Sequence, residues 1–196
     1  RMGLDFVHFD GQHSPFSPEA VDRLCRVADG FGITPTMRVP DHQESTILSY
    51  LDRGIRQITV PNLQTKEEAL ALVKYSFYAP IGLRSATSLR TAFNLEADRP
   101  KLFADVNANT MLVPQLESAT ALDNLDEILT VDGIDYFTKG LEDLAQSMGL
   151  PGQHTHPRVQ QAWQEAQDRV RAAGKGFLED VSETVPVVGA VHAAAD

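Results

Sequence analysis

The sequence predicts an α/β fold, a parallel sheet with helices packed outside it, and three observations lead there. Short β-rich runs at 4–9, 35–39, 56–60, 111–116 and 134–138, with a weaker one near 176–181, alternate with longer helical segments. A helix between two strands returns the chain to the same end of the sheet, so consecutive strands run parallel. Several strands also end on polar or charged residues, in FVHFDGQH (6–13), PTMRVP (35–40), MLVPQLE (111–117) and IDYFTKGLED (134–143). A barrel and an open doubly wound sheet both fit this pattern. No internal repeat, low-complexity tract or linker interrupts it, so one domain over 1–196 is expected.

The helical segments follow in order. Segment 18–30 has Ser17 as N-cap, Pro18 at the first helical position, and Val21, Leu24, Val27 and Ala28 along one face. Segment 43–53 carries Ile47, Leu48 and Leu51. Segment 66–75 follows Thr65 with Lys66-Glu67-Glu68, a capping-box pattern. Segment 118–130 carries Ala121, Leu122, Leu125, Ile128 and Leu129, and segment 157–173 opens on Pro157. The stretch 79–110, rich in Ser, Thr, Arg and Asn, reads as a long connection with room for a short helix.

Composition narrows the function. Hydrophobic residues make up 42% and charged residues 22%, an ordinary globular balance. Lys plus Arg total 17 against 27 Asp plus Glu, a net charge of −10. Such a surface repels phosphate backbones and anionic lipid, so neither nucleic acid nor membrane is an expected partner. No apolar run is long enough to span a bilayer and no leader pattern is visible, which makes cytoplasm the default location. The chain opens on Arg1-Met2-Gly3 and enters a strand almost at once, so a native N-terminus is expected upstream. Cys25, the single cysteine, excludes an internal disulfide and a cysteine zinc site. No GxGxxG follows the first strand and no GxxxxGK[ST] occurs, so nucleotide binding lacks support.

The residues able to do chemistry sit mainly at strand ends, where the sites of parallel barrels form. His13 follows Asp10-Gly11-Gln12, whose glycine permits a sharp turn; its plain alternative is a loop histidine. Arg38 lies in a β-branched run, where a charge is costly to bury unless it is paired or binds something. Asp52, in Leu51-Asp52-Arg53-Gly54, reads on its own as a solvated helix-end carboxylate. Glu117 directly follows the apolar run 111–116, and Asp143 lies where the next strand turns into a helix. Two carboxylates on adjacent strand ends suit a hard divalent cation such as Mg²⁺ or Mn²⁺. Separately they read as an ion pair and a helix N-cap.

Together these segments resemble the HpcH/HpaI aldolase family of metal-dependent (class II) pyruvate aldolases. The resemblance rests on Asp10-Gly11-Gln12-His13, Arg38-Val39-Pro40, Gln115-Leu116-Glu117 and Gly140-Leu141-Glu142-Asp143-Leu144. Val60-Pro61, the stretch Tyr78 to Arg84, and Met148 to Gly152 add to it, and the match covers residues 3–174. It implies a TIM-type (β/α)8 barrel of the phosphoenolpyruvate/pyruvate kind, with the first and last strands outside this sequence. It implies a carbon–carbon lyase acting on 4-hydroxy-2-oxo acids, with pyruvate and an aldehyde as partners. Glu117 and Asp143 would hold the ion, Mg²⁺ or Mn²⁺ ahead of Co²⁺ or Zn²⁺. Arg38 would stabilise the enolate oxygen, Gln115 would line the pocket, and His13, oriented by Asp52, would be the acid–base. Backbone N–H groups at Glu142 and Asp143 would receive the substrate carboxylate. A homo-oligomer, hexameric in the family, is implied as well.

The chain departs from the family pattern in places. Gln12 stands where Glu is usual, Lys139 and Leu141 flank Gly140 where a hydrophobic residue and Pro are usual, and the match is poor beyond 174. Other readings stay open: a 2-oxo acid decarboxylase or citrate-forming enzyme on the same site, a Schiff-base aldolase using Lys139, or a non-catalytic degenerate barrel.

Overall fold

A computed structural model describes residues 3–86 and 98–181. The chain order is β1 (Phe6–Asp10), α1 (Pro18–Phe31), β2 (Thr34–Arg38), α2 (Glu44–Leu51), β3 (Gln57–Val60), α3 (Lys66–Ser76), α4 (Arg99–Ala108) and β4 (Met111–Leu116). There follow α5 (Ala119–Asp123), α6 (Leu125–Leu129), β5 (Tyr136–Lys139), α7 (Leu141–Ser147), α8 (Pro157–Ala172), β6 (Gly176–Phe177) and α9 (Leu178–Val181). Every neighbouring pair of strands is parallel, and their spatial order is their chain order, β1 to β6. A doubly wound sheet reverses its order at a switch point. This sheet does not, so it is the wall of a partial (β/α) barrel.

Helix ends form where the sequence supplies partners for orphan backbone groups. Ser17 accepts from the Ala20 N–H, and Gly32 ends α1 in the left-handed conformation at φ 68°. Thr65 and Glu68 close a full capping box on α3.

Three expectations shift. The segment 118–130 divides into α5 and α6 at Asn124, whose side chain instead donates to the Gln64 carbonyl. The connection 79–110 contains the ten-residue α4, capped by Asp98 with Pro100 in its first turn. Its only buried apolar residues are Leu102 and Val106, too few to give a helical stripe in the sequence. Residues 87–97 of that connection lie outside the described residues. The last run shortens to Gly176–Phe177 and then turns helical.

Register divides the sheet into two unlike faces. Side chains of paired residues in a parallel sheet share a face and alternate along each strand. The helix-facing set is Phe9, Met37, Ile58, Leu112, Leu116, Phe137 and Phe177. It packs into one core with Val21, Ile47, Leu72, Ile128, Val159 and Val170 from the helices. Each such fully buried side chain contributes about 1.5–3 kcal/mol. The opposite, interior set includes the apolar Phe6, Met111, Val113 and Tyr136 but is mostly polar, with His8, Asp10, Thr36, Arg38, Gln57, Thr59, Gln115 and Thr138. Those groups answer one another, with His8 Nδ1 2.9 Å from Thr36 Oγ1 and the Gln57 amide donating to Thr59 Oγ1 at 2.8 Å. Among the described residues, no helix is long and apolar enough to cross a membrane.

Candidate active site

Each strand ends at the same mouth of the barrel, and the loops there build the site. Asp10 closes β1. Its carboxylate accepts from Arg38 Nε at 3.0 Å and Nη2 at 2.5 Å, a two-point pairing across β1 and β2. The same Oδ1 accepts the backbone N–H groups of Gln12 and His13, which folds the loop back over the strand end. Partial burial alone would raise the Asp10 pKa; the Arg38 hydrogen bonds and charge and the two N–H groups outweigh it and hold the carboxyl below its ordinary range. Gly11 lets that loop pass against β2, since a Cβ there would meet the Arg38 carbonyl oxygen at 2.9 Å.

Glu117 is the most unusual group at this end. It is 3% exposed, and Oε1 accepts the Asn62 N–H at 2.7 Å. Oε2 is buried without a partner among the described residues. Gly140, which begins α7, lies so close that a Cβ there would stand 2.5 Å from Glu117 Cβ and 2.6 Å from Oε2. Burial pushes the Glu117 pKa up and the Asp143 charge adds to this, against the lowering effects of Asn62, Arg38 and His13. The carboxylate thus takes a hydrogen bond from the backbone of the β3 loop and feels the charges of side chains on β2, the β1 loop and α7. Gln115, one inward position before Glu117, donates weakly to the Lys139 carbonyl at 3.4 Å and leaves Oε1 buried and unpaired.

These residues fit a divalent cation. A buried carboxylate oxygen lacks a partner, a second carboxylate lies near enough to be felt, and glycine keeps the cradle open. Among the described residues no cluster of three or more His, Cys, Asp or Glu side chains could hold a metal. Two carboxylates with water and ligand oxygens is the coordination style of Mg²⁺.

The other expected residues divide. Glu142, exposed in the first turn of α7, turns its side chain to His154, 2.6 Å away. The expected partnership of Asp52 with His13 is not found within the chain. Asp52 caps the C-terminus of α2, on the amino side of the sheet, whereas His13 follows the carboxyl end of β1. Its carboxylate instead meets the buried Arg84 guanidinium at 2.7 Å. Lys139 is exposed and pairs in register with Leu116, on the sheet face opposite Gln115 and Thr138, so it lacks the desolvated setting an imine-forming lysine needs. A cavity of about 690 Å³ opens at that amino end, bordered by Arg56, Arg84 and Asp105, away from the converging carboxylates. At the carboxyl end, by contrast, a buried carboxylate oxygen of Glu117 has no partner among the described residues.

Two site residues escaped the sequence reading. Asp10 stood in a quoted motif yet received no role, although a carboxylate at a strand end was the same signal that singled out Glu117. Asn62 gave no signal beyond Pro-Asn turn chemistry.

The family model for HpcH/HpaI aldolase/citrate lyase matches residues 1–194. A 4-hydroxy-2-oxovalerate aldolase of Rhodococcus jostii is 36% identical over 198 residues, which cover 98% of this chain and 76% of that protein. The crystal structure of the citrate synthase SbnG superposes with a TM-score of 0.79 at 32% identity, over 89% of this chain and 67% of that one. An HpcH/HpaI aldolase from Desulfitobacterium hafniense superposes with a TM-score of 0.83 at 24% identity, over 89% and 68% of the two chains.

Proposed function

This chain belongs to the HpcH/HpaI aldolase/citrate lyase family, and from that premise we propose that it is a class II pyruvate aldolase, cleaving or forming 4-hydroxy-2-oxo acids through a pyruvate enolate. The observation that carries this reading is the buried, half-satisfied carboxylate of Glu117, within electrostatic reach of Asp143, Arg38 and His13.

Glu117 and Asp143 would hold Mg²⁺ or Mn²⁺, which would supply positive charge to offset the negative charge that cleavage develops on the substrate. Arg38 adds a fixed cation at the enolate oxygen. Its Nε and Nη2 are tied to Asp10, so the guanidinium is oriented before substrate arrives and reorganises little during reaction. Gln115 borders the pocket, with its unpaired Oε1 available to a donor on the ligand. The backbone N–H groups of Glu142 and Asp143, at the start of a helix whose N-cap Gly140 offers no side-chain acceptor, receive the substrate carboxylate. His13 removes the proton from the 4-hydroxyl. The C3–C4 bond then breaks, C4 leaves as the aldehyde, and its bonding electrons pass into the enolate. A proton returned to C3 completes pyruvate. His13 does this without Asp52 from its own chain.

The test is a melting-temperature screen with Mg²⁺, Mn²⁺, Co²⁺ and Zn²⁺, each with and without oxalate, an enolate mimic, followed by pyruvate release from 4-hydroxy-2-oxo acids. A shift requiring both cation and oxalate, with cation-dependent cleavage, is the expected result. Absence of both would overturn the reading and favour the degenerate barrel. The likeness to a citrate synthase supports a second reading, in which the same enolate chemistry forms citrate by condensation. Product analysis with oxaloacetate as substrate separates condensation, decarboxylation and aldol cleavage. A cytoplasmic homo-oligomer completes the proposal, checked by light scattering of the purified protein.

A further inference from the structure

The turn that closes β3 contains a backbone conformation that the family motifs do not explain. Among the described residues, Asn62 is the only non-glycine with positive φ, at 55°. A side chain in the left-handed region costs free energy and persists where the surroundings over-determine it. Pro61 before it supplies the pre-set φ of a turn whose second central residue is left-handed, a place that Gly or Asn fills. A turn alone would account for that much.

The Asn62 N–H also donates to Glu117 Oε1 at 2.7 Å, and this is the hydrogen bond that Glu117 makes among the described residues. On the other side of the carboxylate lies Gly140, leaving no room for a Cβ. The Glu117 side chain is therefore gripped between a left-handed turn and a glycine, with one oxygen tied and the other unpaired.

We propose that Asn62 is a positioning residue for the cation site: its left-handed backbone aims an N–H that fixes Glu117 with Oε1 tied and Oε2 kept for the ion. The inference rests on the reading of Glu117 and Asp143 as cation ligands and adds the element that arranges one of them.

The experiment is calorimetric titration of the metal-free protein with Mn²⁺, without substrate, alongside the melting temperature of the metal-free form. Asn62→Gly keeps both the left-handed φ and the N–H, and its affinity stays within about twofold of wild type. Asn62→Pro removes the N–H and cannot reach the φ, and weakens Mn²⁺ binding at least tenfold. Should that variant fail to fold, Asn62→Val retains the N–H while its branched side chain resists the left-handed region, and a three- to tenfold loss is expected. A turn-only role predicts lower melting temperatures for the Pro and Val variants with wild-type Mn²⁺ affinity, which would overturn the proposal. Wild-type protein that takes up no Mn²⁺ would overturn the cation site itself, and the positioning role with it, a result distinct from unchanged affinity in the variants.

Discussion

At the amino end of the barrel, the buried Arg84 guanidinium meets Asp52 at 2.7 Å and lies over the Tyr78 ring at 5.0 Å. At the carboxyl end, the buried Glu117 carboxylate has one backbone N–H and feels a second carboxylate. Both regions bury a charge, yet only one neutralises it. A buried ion with a close counter-ion is part of the architecture, and one left with a free oxygen and like charge marks where a ligand belongs. Residue type does not make that distinction, because Asp52 and Glu117 are both carboxylates beside barrel elements. Their partners do.

The contrast is tested most severely at Glu117. Glu117→Gln keeps the amide oxygen for Asn62 but removes the anion, so cation binding and cation-dependent cleavage should fall by roughly a thousandfold or more, as for loss of a charge used in the transition state. The same substitution should raise the melting temperature of the metal-free protein by about 2–4 °C, since a desolvated charge disappears. A fall instead would mean that Glu117 is structural, like Asp52.

Arg38→Ala should lower kcat by about 10²–10³ through loss of oxyanion stabilisation. Arg38→Lys should not restore it, because a single ammonium cannot reproduce the two-point grip of Asp10. At the other end, Asp52→Ala strands the Arg84 guanidinium. Asp52 is partly open, so the expected loss of unfolding free energy is about 2–3 kcal/mol, somewhat below that for a fully buried pair. Urea denaturation measures it, and an unchanged midpoint would remove the structural role. Gly140→Ala drives a Cβ into Glu117 and should weaken Mn²⁺ binding roughly tenfold, about 1.4 kcal/mol.

The smallest effect is in pH. The folded Glu117 pKa lies above its unfolded value, because burial and the Asp143 charge disfavour ionisation. Folding therefore favours the protonated form: this contribution to stability is complete below the unfolded carboxyl pKa and is lost as pH rises through the folded one. Asp10 has the opposite sign, its contribution present above the unfolded pKa and lost as pH falls through the lowered folded value. Melting curves of metal-free wild type and Glu117→Gln, taken from mildly acidic to neutral pH, should diverge in the direction set by Glu117.

Much of this was legible in the amino-acid order. Short β-rich runs alternating with longer helical segments are local signals, so the strands and their parallel arrangement follow from the pattern. Caps such as Ser17 and Thr65 act within three residues and are equally readable. The connection 79–110 left room for a helix, but the place and length of α4 were not legible because only Leu102 and Val106 anchor it, and neither was the break at Asn124, because its side chain bonds to the distant Gln64. Asp52 reads in the sequence as a helix-end carboxylate, and it does cap α2, but its ion pair with Arg84 joins segments 32 residues apart and leaves no local signal.

By itself, the chain's order of residues determined a parallel α/β wall and which side chains stand at its strand ends, since both depend on short-range periodicity and backbone chemistry. Tertiary structure alone decided which buried charge is matched and which is left open. That outcome depends on contacts between distant segments, Asn62 with Glu117 and Asp52 with Arg84, whose energies arise only when those segments exclude water together.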